Sequence, residues 1–314
     1  MRITCSIGEV AAIELQMFNT PQKMIEEQML NNSTPAAILP MQCYVQPFWG
    51  HSDLEIYNES NLDTMGRMPD NCIDLTVTSP PYDGLRNYNG YSFPFEEIAK
   101  ELYRVTKDGG VVVWVVNDST KNGSESLTSF RQALFFKEIG FNVYDTMIYA
   151  KNNYIPLTHN RYEQQFEYMF VFSKGKPKTF NPLMKENKQV GQIKGGSFRQ
   201  KMDEKGKRHK DIGVSEFSIK PNIWFYNVGM ANSTKDKIAF NHSAIFPEQL
   251  ANDHILSWSN EGDVVYEPFA GSGTTGKMAF LNKRKCIMSE ISLEYCELSK
   301  QRLLPYTSNI GLFA

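Results

Sequence analysis

The sequence predicts an α/β fold built on a mostly parallel, doubly wound sheet. Three observations predict it. Strand-like and helix-like segments alternate from about residue 53 onward, the pattern of a parallel sheet with crossover helices. Residues 111–116, Val-Val-Val-Trp-Val-Val, form an unbroken apolar run, as expected of a strand buried on both faces. A glycine-rich loop, Phe269-Ala-Gly-Ser-Gly-Thr-Thr-Gly276, separates a strand pattern from a helix pattern. Open α/β sheets bind ligands at such strand ends.

Residues 1–45 carry no strong strand pattern. Ile13 to Met29 shows apolar residues at mixed helical spacing, broken by Pro21, and 31–35 reads as a loop. An N-terminal extension of short helices is expected over 1–45, serving packing or a dimer contact. Strands are expected at 54–57 and 73–78, the second rich in β-branched residues and stopped by Pro80-Pro81. Helical spacing over 95–105 ends at Asp108-Gly109-Gly110. After the 111–116 strand come a helix over 126–138, closed by Gly140, and strands at 146–151 and 167–173. A helix over 247–259, a strand at 263–268, a helix over 275–281, a strand at 286–290 and a helix over 293–304 complete the order. The expected division is an extension (1–45), a main domain (46–173 and 221–314) and an inserted segment (174–220).

Composition bounds the possibilities. The chain has 314 residues, 41% apolar and 22% charged, which is ordinary globular usage and long enough for a sizeable core. Five scattered cysteines, none in a CxxC pair, do not read as a disulfide framework and fit a reducing, cytoplasmic setting. No apolar run approaches the ~20 residues of a membrane helix. The N-terminus lacks a charged start followed by an apolar stretch, so no secretory signal and no membrane partner are expected. No HExxH, paired CxxC or Asp-rich calcium loop occurs, so no metal is predicted.

The formal net charge is −2, but it is unevenly spread. Residues 174–220 hold thirteen Lys and Arg against five Asp and Glu, a net +8, which leaves −10 for the rest. A basic segment on an acidic body is a footprint for an anionic partner. A solvated insertion without a partner has the same composition.

In the glycine loop, Gly271, Gly273 and Gly276 match a GxGxxG fingerprint, and Glu290 ends the next strand about 20 residues on, where an acid can grip ribose hydroxyls. Exposed N–H groups at a helix start favour a carboxylate or phosphate. By itself this loop indicates an adenosine-containing cofactor and does not separate NAD from S-adenosylmethionine.

The second motif, Thr78-Ser79-Pro80-Pro81-Tyr82, caps the 73–78 strand. Two prolines fix the backbone and remove two N–H donors. Rigid carbonyl acceptors, a hydroxyl and an aromatic ring remain, a suitable receiver for a planar ring bearing an NH2 group. A plain proline turn is the alternative.

Together the two loops resemble the amino-group DNA methyltransferases, which methylate the exocyclic nitrogen of cytosine or adenine with S-adenosylmethionine. The family's catalytic loop is (S/N/D)PP(Y/F). Ser-Pro-Pro-Tyr is mostly the cytosine-N4 form and Asp-Pro-Pro-Tyr the usual adenine-N6 form. Phe269-Ala-Gly-Ser-Gly273 matches the family's FxGxG loop. The catalytic loop comes first in the chain, as in the circularly permuted β group, and the basic segment falls where that group has its target-recognition region. The stretches 68–75, 166–174 and 242–247 agree, and the resemblance covers roughly residues 53–305. Two departures stand out: Glu267-Pro-Phe269 replaces Asp-Pro-Phe, and His242-Ser243-Ala244 replaces His-Pro-Ala.

The resemblance implies a Rossmann-like S-adenosylmethionine-dependent methyltransferase fold with 46–173 and 221–314 as its catalytic and cofactor-binding domain. It implies double-stranded DNA as substrate and a cognate restriction endonuclease as a partner, with the enzyme a monomer or homodimer. Ser79, Pro80, Pro81 and Tyr82 become the catalytic set, with Ser79 Oγ and the Pro80 carbonyl accepting the amine hydrogens and Tyr82 stacking on a flipped base. Packing at a strand end is the other role open to Tyr82. Phe269 lies near adenosine, Gly271 and Gly273 allow close approach, Thr274 and Thr275 hold the methionine carboxylate, and Glu290 takes the ribose. Thr78 and Glu267 belong to the same cofactor-binding set. His242 and Phe246 border the methionine end, unless His242 is structural. Arg199, Lys201, Lys207 and Arg208 are expected phosphate contacts.

The function expected is site-specific cytosine-N4 methylation. The alternatives are adenine-N6 methylation, an NAD-dependent oxidoreductase and a non-catalytic DNA-binding module.

Overall fold

A computed structural model describes residues 37–41, 45–81, 93–154, 161–191, 214–230, 232–242, 245 and 247–308. The expected helices before residue 36, Tyr82, Phe246, Arg199, Lys201, Lys207 and Arg208 lie outside the described residues.

The strands are β1 (Trp49–His51), β2 (Leu54–Tyr57), β3 (Ile73–Thr78), β4 (Thr106–Val116), β5 (Thr120–Lys121), β6 (Ser124–Glu125) and β7 (Asn142–Lys151). They continue with β8 (Phe166–Ser173), β9 (Met184–Glu186), β10 (Phe217–Ile219), β11 (Ile223–Tyr226), β12 (Val264–Glu267) and β13 (Lys285–Ser289). The helices are α1 (Asn61–Arg67), α2 (Phe95–Val105), α3 (Thr128–Glu138), α4 (Glu248–Trp258), α5 (Thr274–Leu281) and α6 (Leu293–Thr307). A 3-10 turn spans Lys237–Asn241.

Nine strands form one sheet in the order β1-β2-β13-β12-β3-β4-β8-β7-β11. From β2 to β4 every pair is parallel. β8 runs against both its neighbours, β11 is parallel to β7, and β1 is antiparallel at the far edge. The predicted α/β sheet, mostly parallel with helices on both faces, is the one observed.

Residue periodicity explains the layering. Along β4, Val111, Val113 and Val115 join the core under α4, α5 and α6, with Leu250, Ile255, Met278 and Leu303. Val112, Trp114 and Val116 point the other way, into a core with Met65, Ile98, Leu102 and Phe136 from α1, α2 and α3. The period of two turns one apolar run into the floor of two cores. In α2, Ile98, Ala99, Leu102 and Val105 make one buried stripe, with Glu96 and Glu97 in the first turn where the helix dipole favours acids. Ser60 caps α1 by accepting from Leu62 N, and Ser292 caps α6 by accepting from Tyr295 N.

Several elements differ from expectation. β7 begins at Asn142 rather than 146, because it pairs with β8 along its whole length, from Asn142 opposite Ser173. The helix expected from 126 begins at Thr128, since Leu127 is left-handed and Asp118 accepts from Ser129 N. Strands β1, β5, β6, β9, β10 and β11 and helix α1 are additional to the elements expected. At the head of the basic segment, Lys174 Nζ donates to the Tyr103 and Thr106 carbonyls, and Asn181 N donates to Ser257 O at the end of α4. β9 and β10 pair as a short antiparallel ribbon further along it.

Candidate active site

The carboxyl ends of β2, β13, β12, β3, β4, β7 and β11 meet at one edge of the sheet, joined by the start of the reversed β8. A cavity of about 770 Å³ opens there. Its wall is made of the residues that leave those strands: Asn61 after β2, Ser79 to Pro81 after β3, Asn117 after β4, Lys151 closing β7, Phe269 to Ser272 after β12, and Glu290 after β13. A ligand at the carboxyl edge is what this topology favours.

The glycine loop forms one side. Gly271 and Gly273 have φ of +52° and +73°, in the left-handed region that favours glycine. A Cβ on Gly271 would stand 2.8 Å from His242 Nε2, so the imidazole closes directly over the backbone. His242 in turn packs edge-to-face on Tyr295, with ring centroids 4.3 Å apart. Both rings line the cavity. A Cβ on Gly276 would come 2.3 Å from Met288 Sδ, so the third glycine lets α5 lie tightly on β13.

Glu290 is fixed by backbone. Gly271 N donates to its Oε2 at 2.8 Å and Ser292 N to its Oε1 at 2.9 Å. Burial pushes its carboxyl up, and these two N–H groups pull it back. The carboxylate is on the cavity wall.

Thr78, Glu267 and Thr275 are placed differently from the rest of the expected cofactor set. They do not line the cavity. All three are buried and bond to one another: the Thr78 hydroxyl donates to Glu267 Oε1, and Thr275 Oγ1 lies 2.7 Å from Glu267 Oε2. Phe269 N also donates to Glu267, at 3.0 Å. The trio is a brace behind the wall, joining the end of β3 to the glycine loop. Thr78 and Glu267 end the covered strands β3 and β12, and Thr275 stands in the first turn of α5, buried against them. Gly273 lies behind the wall too, while Thr274 is on it with its hydroxyl accepting from Arg302 Nη1 at 3.0 Å.

The structure therefore gathers Ser79, Pro80, Pro81, His242, Phe269, Gly271, Thr274 and Glu290 around one cavity. Sequence reasoning passed over Asn117, Tyr149, Lys151 and Glu167 on the same wall. No local motif marks them. Their available signal was position alone, since each stands at the carboxyl edge of the sheet. Sequence reasoning also passed over Arg302, fully buried in α6 (side chain 0% exposed), which donates to Ser272 O at 2.8 Å beneath the loop.

Comparison with known proteins gives consistent results. The family model described as DNA methylase matches residues 73–301. The orphan methyltransferase M.BamHII of Bacillus amyloliquefaciens is 62% identical over 237 residues, which span 74% of this chain and 89% of that protein. The DNA adenine methyltransferase YhdJ of Escherichia coli K12 is 28% identical over 266 residues, 81% of this chain and 84% of that protein. Among solved structures, PvuII DNA methyltransferase (cytosine-N4-specific) shares the fold, with a TM-score of 0.62 over 84% of this chain and 90% of that one at 21% identity.

Proposed function

The chain belongs to the DNA methylase family, and from that premise we propose that it methylates the exocyclic N4 of cytosine in double-stranded DNA, using S-adenosylmethionine. The observation that carries the reading is one shared wall: Ser79-Pro80-Pro81 and the glycine loop face a single cavity, braced to each other through Glu267.

The residues fit the cofactor. The left-handed glycine at 271 puts bare backbone on the cavity wall, with no side chain between it and a ligand. Glu290, oriented by two backbone N–H groups, suits a pair of ribose hydroxyls. Phe269 and Ile291 supply apolar surface on the same wall. His242 and Tyr295 close the side nearest Gly271. When bound, S-adenosylmethionine supplies an electrophilic methyl group on a sulfonium.

An exocyclic amine is a poor nucleophile, because its lone pair is delocalised into the ring. Ser79 Oγ and the Pro80 carbonyl accept its two N–H bonds and favour a tetrahedral nitrogen. These acceptors act most strongly as positive charge develops there. The base leaves the duplex to reach them, and Tyr82, next in the chain after Pro81, stacks on it. Lys and Arg of the basic segment, Arg199, Lys201, Lys207 and Arg208 among them, hold phosphates. Serine rather than aspartate at position 79 supports cytosine over adenine.

The test uses unmethylated DNA and S-adenosylmethionine labelled on the methyl group, with digestion to nucleosides and mass spectrometry. Labelled N4-methylcytosine is expected, with the rate falling at least ~100-fold in Ser79→Ala. Labelled N6-methyladenine would keep the chemistry and overturn the choice of base. No labelled nucleoside would overturn the reading.

A further inference from the structure

Beyond Ser79, on the side away from the glycine loop, the cavity wall carries a charged pair with no part in the chemistry above. Lys151 closes β7 and Glu167 is the second residue of β8, where the antiparallel register sets Tyr149 opposite Glu167. Lys151 Nζ and Glu167 Oε1 are 2.7 Å apart, and the side chains are only 22% and 14% exposed. The ammonium also stands 5.6 Å from the centroid of the Tyr149 ring. All three residues line the cavity, as does Asn117 at the end of β4, the strand between β3 and β8.

A half-buried ion pair is not needed to hold two adjacent strands together. Apolar residues of similar size would hold them as well, without the desolvation penalty. On a cavity wall the pair has another use. The sheet order places β12 and β13, with the glycine loop, on one side of β3, and β4, β8 and β7 on the other. With the amine at Ser79 and the methyl donor on the glycine side, the ring of the base extends toward β8 and β7. The ring nitrogen beside the amine, N3 in cytosine and N1 in adenine, is a bare acceptor once the base leaves its partner. An ammonium has three N–H donors, and Glu167 engages one of them.

We propose that Lys151 donates a hydrogen bond to the ring nitrogen beside the target amine, and that Glu167 positions it. This rests on the methyltransferase reading given above. The pair is neutral as a unit, so it reads the base edge without opposing the positive charge that develops on the amine. It also rejects bases with a protonated ring nitrogen at that place, as thymine and guanine have.

The experiment compares wild type, Lys151→Met, Lys151→Arg and Glu167→Gln in single-turnover methyl transfer on a duplex carrying the target site, located beforehand by sequencing DNA methylated by wild type. Cofactor affinity by calorimetry and melting temperature are measured alongside. A second duplex carries 3-deazacytosine at the target, or 1-deazaadenine if the labelled nucleoside is adenine. Lys151→Met should lower the transfer rate roughly 10- to 100-fold, with cofactor affinity within about twofold and Lys151→Arg recovering part of the rate. Glu167→Gln should fall by less. The preference of wild type for the natural base over the deaza base should shrink about 10-fold or more in Lys151→Met, because the contact is already gone. An unchanged preference, or a loss of rate that tracks lost melting temperature and cofactor affinity, would overturn the proposal. If Lys151→Met does not fold, the deaza duplex decides with Lys151→Arg, whose preference must then differ from that of wild type. Failure of wild type to label DNA at all would instead sink the methyltransferase reading.

Discussion

Glu267 sits where a carboxylate is hardest to keep charged. It is fully buried, and desolvation lifts its carboxyl to about 8 against the bonds from Thr78, Thr275 and Phe269 N that favour the anion. Hydrogen counting points the same way. Thr275 Oγ1 lies 3.1 Å from Val77 O and 2.7 Å from Glu267 Oε2, yet a hydroxyl has one proton to give. A neutral Glu267 donates to Thr275, which then donates to Val77 O, and every bond is made. The folded carboxyl thus holds its proton up to about pH 8, while an unfolded one releases it near 4.5. Its contribution to stability is full below pH 4.5 and is lost as pH rises toward and through 8. Glu267→Gln mimics the neutral acid and removes that slope. Urea unfolding at pH 5.5 and 8.5 should show wild type losing more stability between the two than the variant. Equal losses would mean the carboxyl is charged in the fold. Position 267 also shows what a sequence can and cannot give at this scale. Its acidity and place before the glycine loop were legible; its partners were not, because Thr78 is 189 residues away.

At the scale of elements, the glycine loop separates two kinds of close approach. Gly271 is pressed by an imidazole that is itself wedged on Tyr295, and its φ is left-handed. Gly271→Ala should cost about 1–3 kcal/mol in stability and weaken S-adenosylmethionine binding, read by calorimetry. The atoms nearest a Cβ on Gly276 all belong to Met288, a flexible thioether that can shift. Gly276→Ala should cost about 1 kcal/mol with cofactor affinity nearly intact. Equal effects at the two positions would contradict this division. Legibility follows the same line. Covered strands such as 111–116 announce themselves because both faces need apolar residues. Helix α1 has only seven residues with two buried, too few to set a period. The β5–β6 hairpin turns on Asn122-Gly123, a recognised turn pair, so its signal was present. Lys151 and Glu167 meet only because β7 and β8 fold back on each other, and nothing local in either strand foretells it.

Over the whole molecule, one largely buried charge cluster ties α4, α5 and α6 together beneath the glycine loop. Asp236, Glu248 of α4, Lys277 of α5, and Arg302 and Tyr306 of α6 are joined by bonds of 2.6–2.9 Å. Burial works against the Asp236 carboxylate, but its bonds to Lys277, Arg302 and Tyr306 prevail and hold it at about 2. It therefore stabilises the fold above pH 3.8 and stops doing so as pH falls through 2. Arg302→Met would leave Asp236 and Glu248 sharing the Lys277 ammonium and release the Ser272 carbonyl, at a cost of about 3 kcal/mol. A melting curve that stays within a degree of wild type would show the cluster to be dispensable. The strand order has a consequence of another kind. β2 and β3 are close in the chain, yet β13 and β12 stand between them. Both early strands are almost wholly covered in the finished protein; each has one neighbour made nearby in the chain, β1 for β2 and β4 for β3, and one made more than 180 residues later. During translation each waits with one edge of unpaired N–H and C=O groups while the ribosome adds the rest. The glycine loop gains its partners Ser289 and Glu290 only when the last sheet strand enters that gap, and until then the unpaired strand edges are open to wrong pairing.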